Sequence, residues 1–504
     1  MTPCRRVPVE TTLAACLLGL AGCTTLTPEA QTAALIARAE TAMGSATLKT
    51  LSVTGRGSGA SVGQAYAPGM AWPGLQVTAL SRSMNFETAS FREEFIRSRS
   101  EPTGGGAVPL MGSGDARGVV LARESFAWDV TGTALVAAPA ALPARVHDLW
   151  LSTPQGAIKA AARTGARASV RRDFLRRWDT LSFDMPGQFS ATLVLEDTGL
   201  ISRIESSVHH AVLGTMPVVT QFIDYRSHAG VMLPSRIVQD QGGFTALDLM
   251  VTDAAANEPV EITVPDNVRA ATETVSVEKV ADGVWFLAGG THHSVAIELA
   301  AQIVLVELPL HAGRARAVLD AANGLVDGKK ATTVINTHHH FDSAGGLRVA
   351  AADGATIFTS VLAKPYFEAA FAQPQKRAPD MPAASGRKPT FIAVETKTLL
   401  NDADRPVEIH ELQGSIHARG LLVVWLPREQ LLIEADAYAP GPPTPPTPPG
   451  APDAAPPAVP DANHLNLVQN LDRLGLTPRL ILPLQGRVVP AADLYALVGR
   501  KPPP

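Results

Sequence analysis

Asn336-Thr337-His338-His339-His340-Phe341-Asp342-Ser343-Ala344-Gly345-Gly346 is the stretch on which the reading of this chain turns. The run before it, 331–335, is rich in β-branched residues and reads as a buried strand. Side chains of an extended segment alternate in direction. His338 and His340 therefore share one side, His339 takes the other, and Asp342 keeps the parity of the first pair as the chain turns away. Two imidazoles and a carboxylate converging at a strand end suit a divalent metal ion, most often zinc. The alternative is a polar strand end with a chance run of histidines. The whole chain of 504 residues has only 13 His, so three in succession before an Asp favour the metal.

The stretch resembles the His-x-His-x-Asp-His signature of the metallo-β-lactamase superfamily. His338, His340 and Asp342 match it; Ser343 stands where the last histidine belongs. The resemblance runs from about residue 275 to the C-terminus. It implies an α/β fold over 275–500, an αββα sandwich with metal bound at one edge between two β-sheets. It also implies the other ligands. In Gln413-Gly414-Ser415-Ile416-His417, His417 takes the place of the histidine that completes the first metal site. Three histidines with a fourth position open are the mark of a catalytic zinc. The apolar run 431–433 leads to Asp436, which matches the family's metal-bridging aspartate. Glu434 has the same strand parity and is its rival. The strand 480–484 leads to Gln485, where the family has histidine. A second metal site would draw on Asp342, Ser343, Asp436 and Gln485. A hydroxyl and an amide oxygen are poor zinc ligands beside imidazole, so one zinc ion is expected. Iron, held by His and Asp in related folds, is the alternative metal. His292 and His293 follow Gly289-Gly290 and are candidates for a replacement ligand. Glu307 ends a core strand and is read as ordering its neighbouring loops.

The rest of the chain sets the context. A composition of 46% apolar and 18% charged residues is that of a chain that buries cores, and the length suits about two to four domains. The net charge of −4 gives no support for nucleic-acid binding. A cluster at Arg171, Arg172, Arg176 and Arg177 reads as a solvated face. All three cysteines fall in the first 23 residues. Arg5 and Arg6 precede an apolar run, 13–20, too short to span a bilayer. It ends in Leu20-Ala21-Gly22-Cys23, which resembles a lipoprotein signal with its lipobox. The resemblance implies a signal peptide at 1–22, a lipidated Cys23 and, because Thr24 rather than Asp follows, the outer membrane. An ordinary cleaved signal is the alternative.

Residues 23–50 read as a tether with one helix at 29–43. From 51 to 270 short alternating runs with turn residues between them predict a β-rich domain, an antiparallel curved sheet or half-barrel. Helices are expected at 157–166 and 171–178. The domain is similar to the β-rich halves of some secreted relatives of the same superfamily and, more loosely, to lipoprotein-carrier half-barrels. A cradle for an apolar ligand, a lid over the metal site and a plain spacer all fit that pattern. The segment 439–460 is proline-rich and reads as an exposed extended loop near the metal edge.

Together these readings lead to two expectations. The first is a metal-dependent hydrolase acting on an ester, lactone or amide of a small-molecule substrate, anchored to the envelope membrane through Cys23. The second is a non-catalytic envelope lipoprotein that binds a ligand or partner with a degenerate form of the fold. The anchor has a direct test. In a bacterial host, Cys23→Ala is expected to leave unprocessed precursor on a gel, and release of a processed chain like the native one would refute the lipobox.

Overall fold

A computed structural model describes residues 27–503 except 102–103, 173–175, 229, 373–387, 401, 403–404 and 441–459. Cys23 and most of the proline-rich segment 439–460 lie outside the described residues. The first helix, Pro28–Met43, starts where Thr27 accepts a hydrogen bond from the amide of Ala30 and stops at Gly44, whose φ of 64° closes the C-terminal turn.

Thirteen strands then form one antiparallel sheet. The chain enters it in the middle, at Thr50–Ala60, and steps outward to an edge at Ala134–Ala137. Two helices, Leu142–Leu151 and Pro154–Arg163, carry it to the opposite edge at Arg167–Arg172. It steps back strand by strand until Phe244–Ala256 pairs with Thr50–Ala60. Alternate residues enter the core under the helices; along Phe189–Leu195 they are Phe189, Ala191, Leu193 and Leu195. The helix Leu142–Leu151 binds both wings of the sheet. Arg145 donates to the carbonyls of Leu121 and Trp128 on one side, and His147 Nε2 meets Ser206 Oγ at 2.8 Å on the other. The sheet therefore curls around its helices and stays open at its edges, a half-barrel.

One expected helix is absent. Arg171 and Arg172 end a strand, and Arg177 and Trp178 begin the next, paired in register. Ser169 and Thr180 share a hydroxyl bond of 2.7 Å across that pair, and Arg171 grips Glu205 with two bonds of 2.7 Å. Cross-strand partners outweigh local propensity here.

The C-terminal half has two sheets face to face, one of seven strands and one of six. Val284, Phe286, Ile297, Val306 and Ile335 of the first pack against Ile409, Val424, Ile433 and Leu482 of the second. The helices Ala312–Asn323, Leu347–Asp353 and Ala363–Ala372 cover the outer face of the first sheet. Ala462–Leu474 and Ala491–Leu497 cover that of the second. This is the αββα sandwich that the motif implies. The close fit explains Gly345-Gly346: a Cβ on Gly345 would stand 1.9 Å from the carbonyl oxygen of Leu310, and one on Gly346 would stand 2.5 Å from Cβ of Ala315.

Four strands point their C-terminal ends at one edge of the sandwich. They are Ala331–Ile335 in the first sheet and Val407–Glu411, Leu431–Glu434 and Leu480–Pro483 in the second. Strand ends of this kind are where a sandwich gathers side chains for chemistry, because the loops beyond them are free of the ladder. Ile335 is fully buried directly before the His run. Ile335→Ala is expected to cost about 2–5 kcal/mol of stability in a denaturant titration. A loss below about 1 kcal/mol would show that the two sheets are not close-packed there.

Candidate metal centre

Three imidazoles meet beyond those strand ends. The ligating atoms of His338, His340 and His417 lie within 4.8 Å of one another, and all three residues are buried. His338 Nε2 stands 3.4 Å from His417 Nε2. Hydrogen bonds elsewhere decide which nitrogen each ring presents. The Thr337 hydroxyl donates to the buried Glu307 carboxyl, so its oxygen is left to accept from His338 Nδ1 at 2.9 Å. That leaves Nε2 of His338 facing its neighbours. His340 donates from Nε2 to the carbonyl of Ala65 at 2.9 Å, and its Nδ1 is buried without a partner. An imidazole with one nitrogen tied down and the other bare and buried is how a ligating histidine is oriented. Burial first, then the neighbouring imidazoles, hold His338 far below the ordinary histidine range. Burial likewise takes His340 to about 3, with a contribution from His417, and His417 to about 4. The trio is neutral at neutral pH, the form that binds a metal ion. The donor set fits a metal.

His339 is only partly on the other side. It is outside the cluster, as strand parity requires, but its Nε2 also reaches the Ala65 carbonyl, at 2.8 Å. The backbone has left the strand by then, and a one-turn helix, Phe341–Ala344, comes at once.

The acids divide. Asp436 places Oδ2 3.5 Å from His338 Nε2 and 3.7 Å from His417 Nε2. Its φ of 62° belongs to the left-handed region, which a non-glycine residue enters only when its surroundings demand it. Burial and then the charge of Asp342 push its carboxyl up to about 7. Glu434 turns to the backbone: its Oε2 accepts from the amides of Ala437 and Tyr438, both at 3.0 Å. Of these two acids, Asp436 is therefore the one that faces the imidazoles. Asp342 accepts from Gln64 Nε2 at 3.0 Å and lies 3.6 Å from His292 Nε2. Burial alone would raise it, but His292, His340 and Gln64 outweigh burial and hold it at about 2.

The second-site positions do not gather as ligands. The Gln485 amide nitrogen donates to Asp436 Oδ1 at 2.5 Å, and Ser343 Oγ is buried without a partner. Among the described residues one His/Asp/Glu cluster forms, the histidine trio. His292 does come to the edge. His293 turns back, accepting from the amide of Gly289 at 3.2 Å and packing on Phe286.

The N-terminal sheet supplies part of this centre; the sequence offered a lid over the metal site as one of its roles but named none of these residues. Its 61–73 turn lies over the His run: Gly63, Gln64 and Ala65 bond Phe341, Asp342 and the two histidines. Tyr66 accepts from the Arg419 amide at 2.8 Å through its carbonyl, and its hydroxyl donates to the Ser415 carbonyl at 3.0 Å. The only signal in the sequence was a turn rich in glycine and proline.

Two face-to-face sheets, outer helices on both sides and a histidine cluster at the edge between the sheets are now in place. This is the arrangement, an αββα sandwich with its site at the edge between the sheets, that the resemblance to the metallo-β-lactamase superfamily implied. No protein-family model matches the chain, and no curated protein matches it. Solved structures do. A metallo-β-lactamase from Pontibacter korlensis is 17% identical, with 45% of this chain and 98% of that one covered at a TM-score of 0.32. The metallo-β-lactamase FIM-1 from Pseudomonas aeruginosa, in its mono-zinc form, is 15% identical, with 45% and 94% covered at 0.33. The rubredoxin oxygen:oxidoreductase of Desulfovibrio gigas is 17% identical, with 44% of this chain and 59% of that one covered at 0.33.

Elemental analysis after dialysis is expected to find one metal ion per chain. His338→Ala, His340→Ala and His417→Ala should each lose it, while His339→Ala should keep it. Two retained ions, or a His339→Ala protein as empty as the other three, would contradict this ligand assignment.

Proposed function

We propose that the protein is a metal-dependent hydrolase with one zinc ion, cleaving an ester, lactone or amide bond of a small substrate in the bacterial cell envelope. Cys23 would anchor it by lipid, facing the periplasm from the outer membrane. The observation that carries the reading is the buried trio of His338, His340 and His417, whose ligating nitrogens lie within 4.8 Å of one another, that of His340 without a partner. Three imidazoles would hold the ion and leave a position open, the arrangement of a catalytic rather than a structural site. Bound there, zinc supplies Lewis acidity, which activates water near neutral pH and polarises a carbonyl.

The remaining chemistry falls to the chain's own residues. Asp342 is fixed by Gln64, by its neighbour's amide and by His292. Held at about 2, it stays ionised over the neutral range. It suits the role of an acceptor that orients the attacking water through a carboxylate oxygen. At that value it is a weak proton donor to a leaving group. The cavity beside the His run is small, about 70 Å³ between Ala65, Trp72, Phe244, His339, Phe341 and Tyr366. Ligand pockets usually measure about 300–1,000 Å³, so a sizeable substrate requires the 61–73 turn to give way.

That small cavity and the Gln485–Asp436 bond also favour a second reading, a non-catalytic lipoprotein that binds a ligand or partner. A screen of esters, lactones and lactams with the metal-loaded chain separates the two. Chelation is expected to abolish turnover and zinc to restore it. Asp342→Asn should keep its zinc and lower turnover by about 10²-fold or more. If no substrate in the screen is turned over by the zinc-loaded chain, the binding-protein reading replaces the hydrolase.

A further inference from the structure

Arg99 ends the strand Ser90–Arg99 of the N-terminal sheet, far in sequence from the histidines. Its backbone is pinned on both sides: its amide donates to the Pro109 carbonyl at 2.7 Å, and its carbonyl accepts from Met111 at 2.8 Å. Its side chain is buried, with 7% of the residue exposed. One nitrogen is accounted for. Nη1 donates to the Gly105 carbonyl at 2.5 Å. Gly105 in turn lies flat against the metal centre. A Cβ built on it would fall 2.4 Å from Cε1 of His340 and 2.8 Å from the carbonyl oxygen of Gln64. Arg99 is thus one residue away from a ligand ring. Beyond burial, its charge lowers both His340 and His417.

The other two nitrogens are the informative ones. Nε and Nη2 are buried and have no hydrogen-bond partner, and no ion pair joins Arg99 to a carboxylate among the described residues. Leaving a buried donor unpaired costs about 1–3 kcal/mol, and more when the group is charged. A guanidinium that served only to tie down the glycine turn would need Nη1 alone. Nε and Nη2 together form the side-on fork of the guanidinium, two parallel N–H groups spaced for a carboxylate or phosphate. With Nη1 fixed on Gly105, the plane of that fork is set before any ligand arrives.

We propose that Arg99 is the anion-recognition residue of the substrate site: its Nε and Nη2, buried and unpartnered behind Gly105 on the ring of His340, take a carboxylate or phosphate carried by the substrate. The proposal rests on the hydrolase reading for the word substrate and on the geometry alone for the anion. It gives the N-terminal domain a part in specificity. One domain holds the metal, and the other reads the charge of what is cleaved.

Calorimetric titration of the full metal-loaded chain tests it, with inorganic phosphate and acetate as separate probes. Whichever anion binds identifies the chemistry. Arg99→Gln is expected to weaken that binding about tenfold or more, and Arg99→Lys, which keeps the charge but not the fork, to weaken it less. Zinc content should remain that of the native chain in both variants. Equal affinities in all three proteins, or binding of neither probe to the native chain, would overturn the proposal and leave Arg99 as a tie for the glycine turn. The native protein gives an independent readout if Arg99→Gln does not fold. The bound anion should slow modification of Arg99 by phenylglyoxal, followed by peptide mass, and an unchanged rate would also overturn it. Zinc content and anion affinity are measured separately. A chain that holds no metal yet binds the anion through Arg99 fails the hydrolase reading only; a zinc hydrolase indifferent to Arg99 fails this one only.

Discussion

An imidazole can present only one nitrogen to a metal, and a hydrogen bond on the other decides which. Everything at the edge of this sandwich serves that constraint. Thr337 and the buried Glu307 fix His338 from below, within the αββα sandwich itself. Ala65 fixes His340 from above, from a different domain. Such supporting partners are worth about 10–100-fold in metal affinity at comparable sites. The ligand positions come from one half of the chain, but the aim of one ligand comes from the other.

That dependence explains why the N-terminal sheet sits where it does. Phe341, the residue after the His run, packs against His210 and Trp72 of the sheet, with ring centroids 4.4 and 6.3 Å away. Arg348, on the next helix, donates to the Val212 carbonyl at 2.9 Å. A contact made at the metal loop and at the helix behind it fixes the turn 61–73 against the histidines. Of the roles that the sequence left open for the sheet, a cover over the site is the one its contacts serve. A spacer would need no backbone carbonyl on a ligand ring.

Period and spacing carry the part of this architecture that is legible in the sequence. A β-branched run placed the buried strand 331–335, and alternation separated His338 and His340 from His339. The resemblance to the metallo-β-lactamase signature, not period, led to His417 and Asp436. Parity could not choose between Glu434 and Asp436, because both point the same way along a strand. The choice is made by a turn at φ 62° that spends Glu434 on backbone amides. The Arg-rich segment at 171–178 has no clear period, and only cross-strand pairing shows that Arg171 and Arg172 end one strand and Arg177 and Trp178 begin the next. Ala65 could not have been found at all, since the group it contributes is a main-chain carbonyl, common to every residue. Gln64 and Arg99 lie far from the motif in sequence, and only the crossing of two domains brings them to it.

The loss of the second-site histidines is better described as a rewiring than as a gap. A pair of carboxylates facing each other in a buried space repel, and a cation between them would relieve that. Here each acid has found a neutral or hydrogen-bonding partner instead. Gln485 donates to Asp436, and Gln64, with His292 close by, donates to Asp342. The amide of Gln485 is a poor ligand for zinc but a good donor to a carboxylate, so the replacement that removes a ligand also removes the need for the ion. What is not rewired is the histidine trio. His340 Nδ1 is buried without a partner, and Nε2 of His338 and Nε2 of His417 face each other at 3.4 Å. A buried acceptor without a donor is costly. The same edge thus pairs Asp342 and Asp436 with side-chain amides and turns the unpaired His340 Nδ1 toward the other two rings.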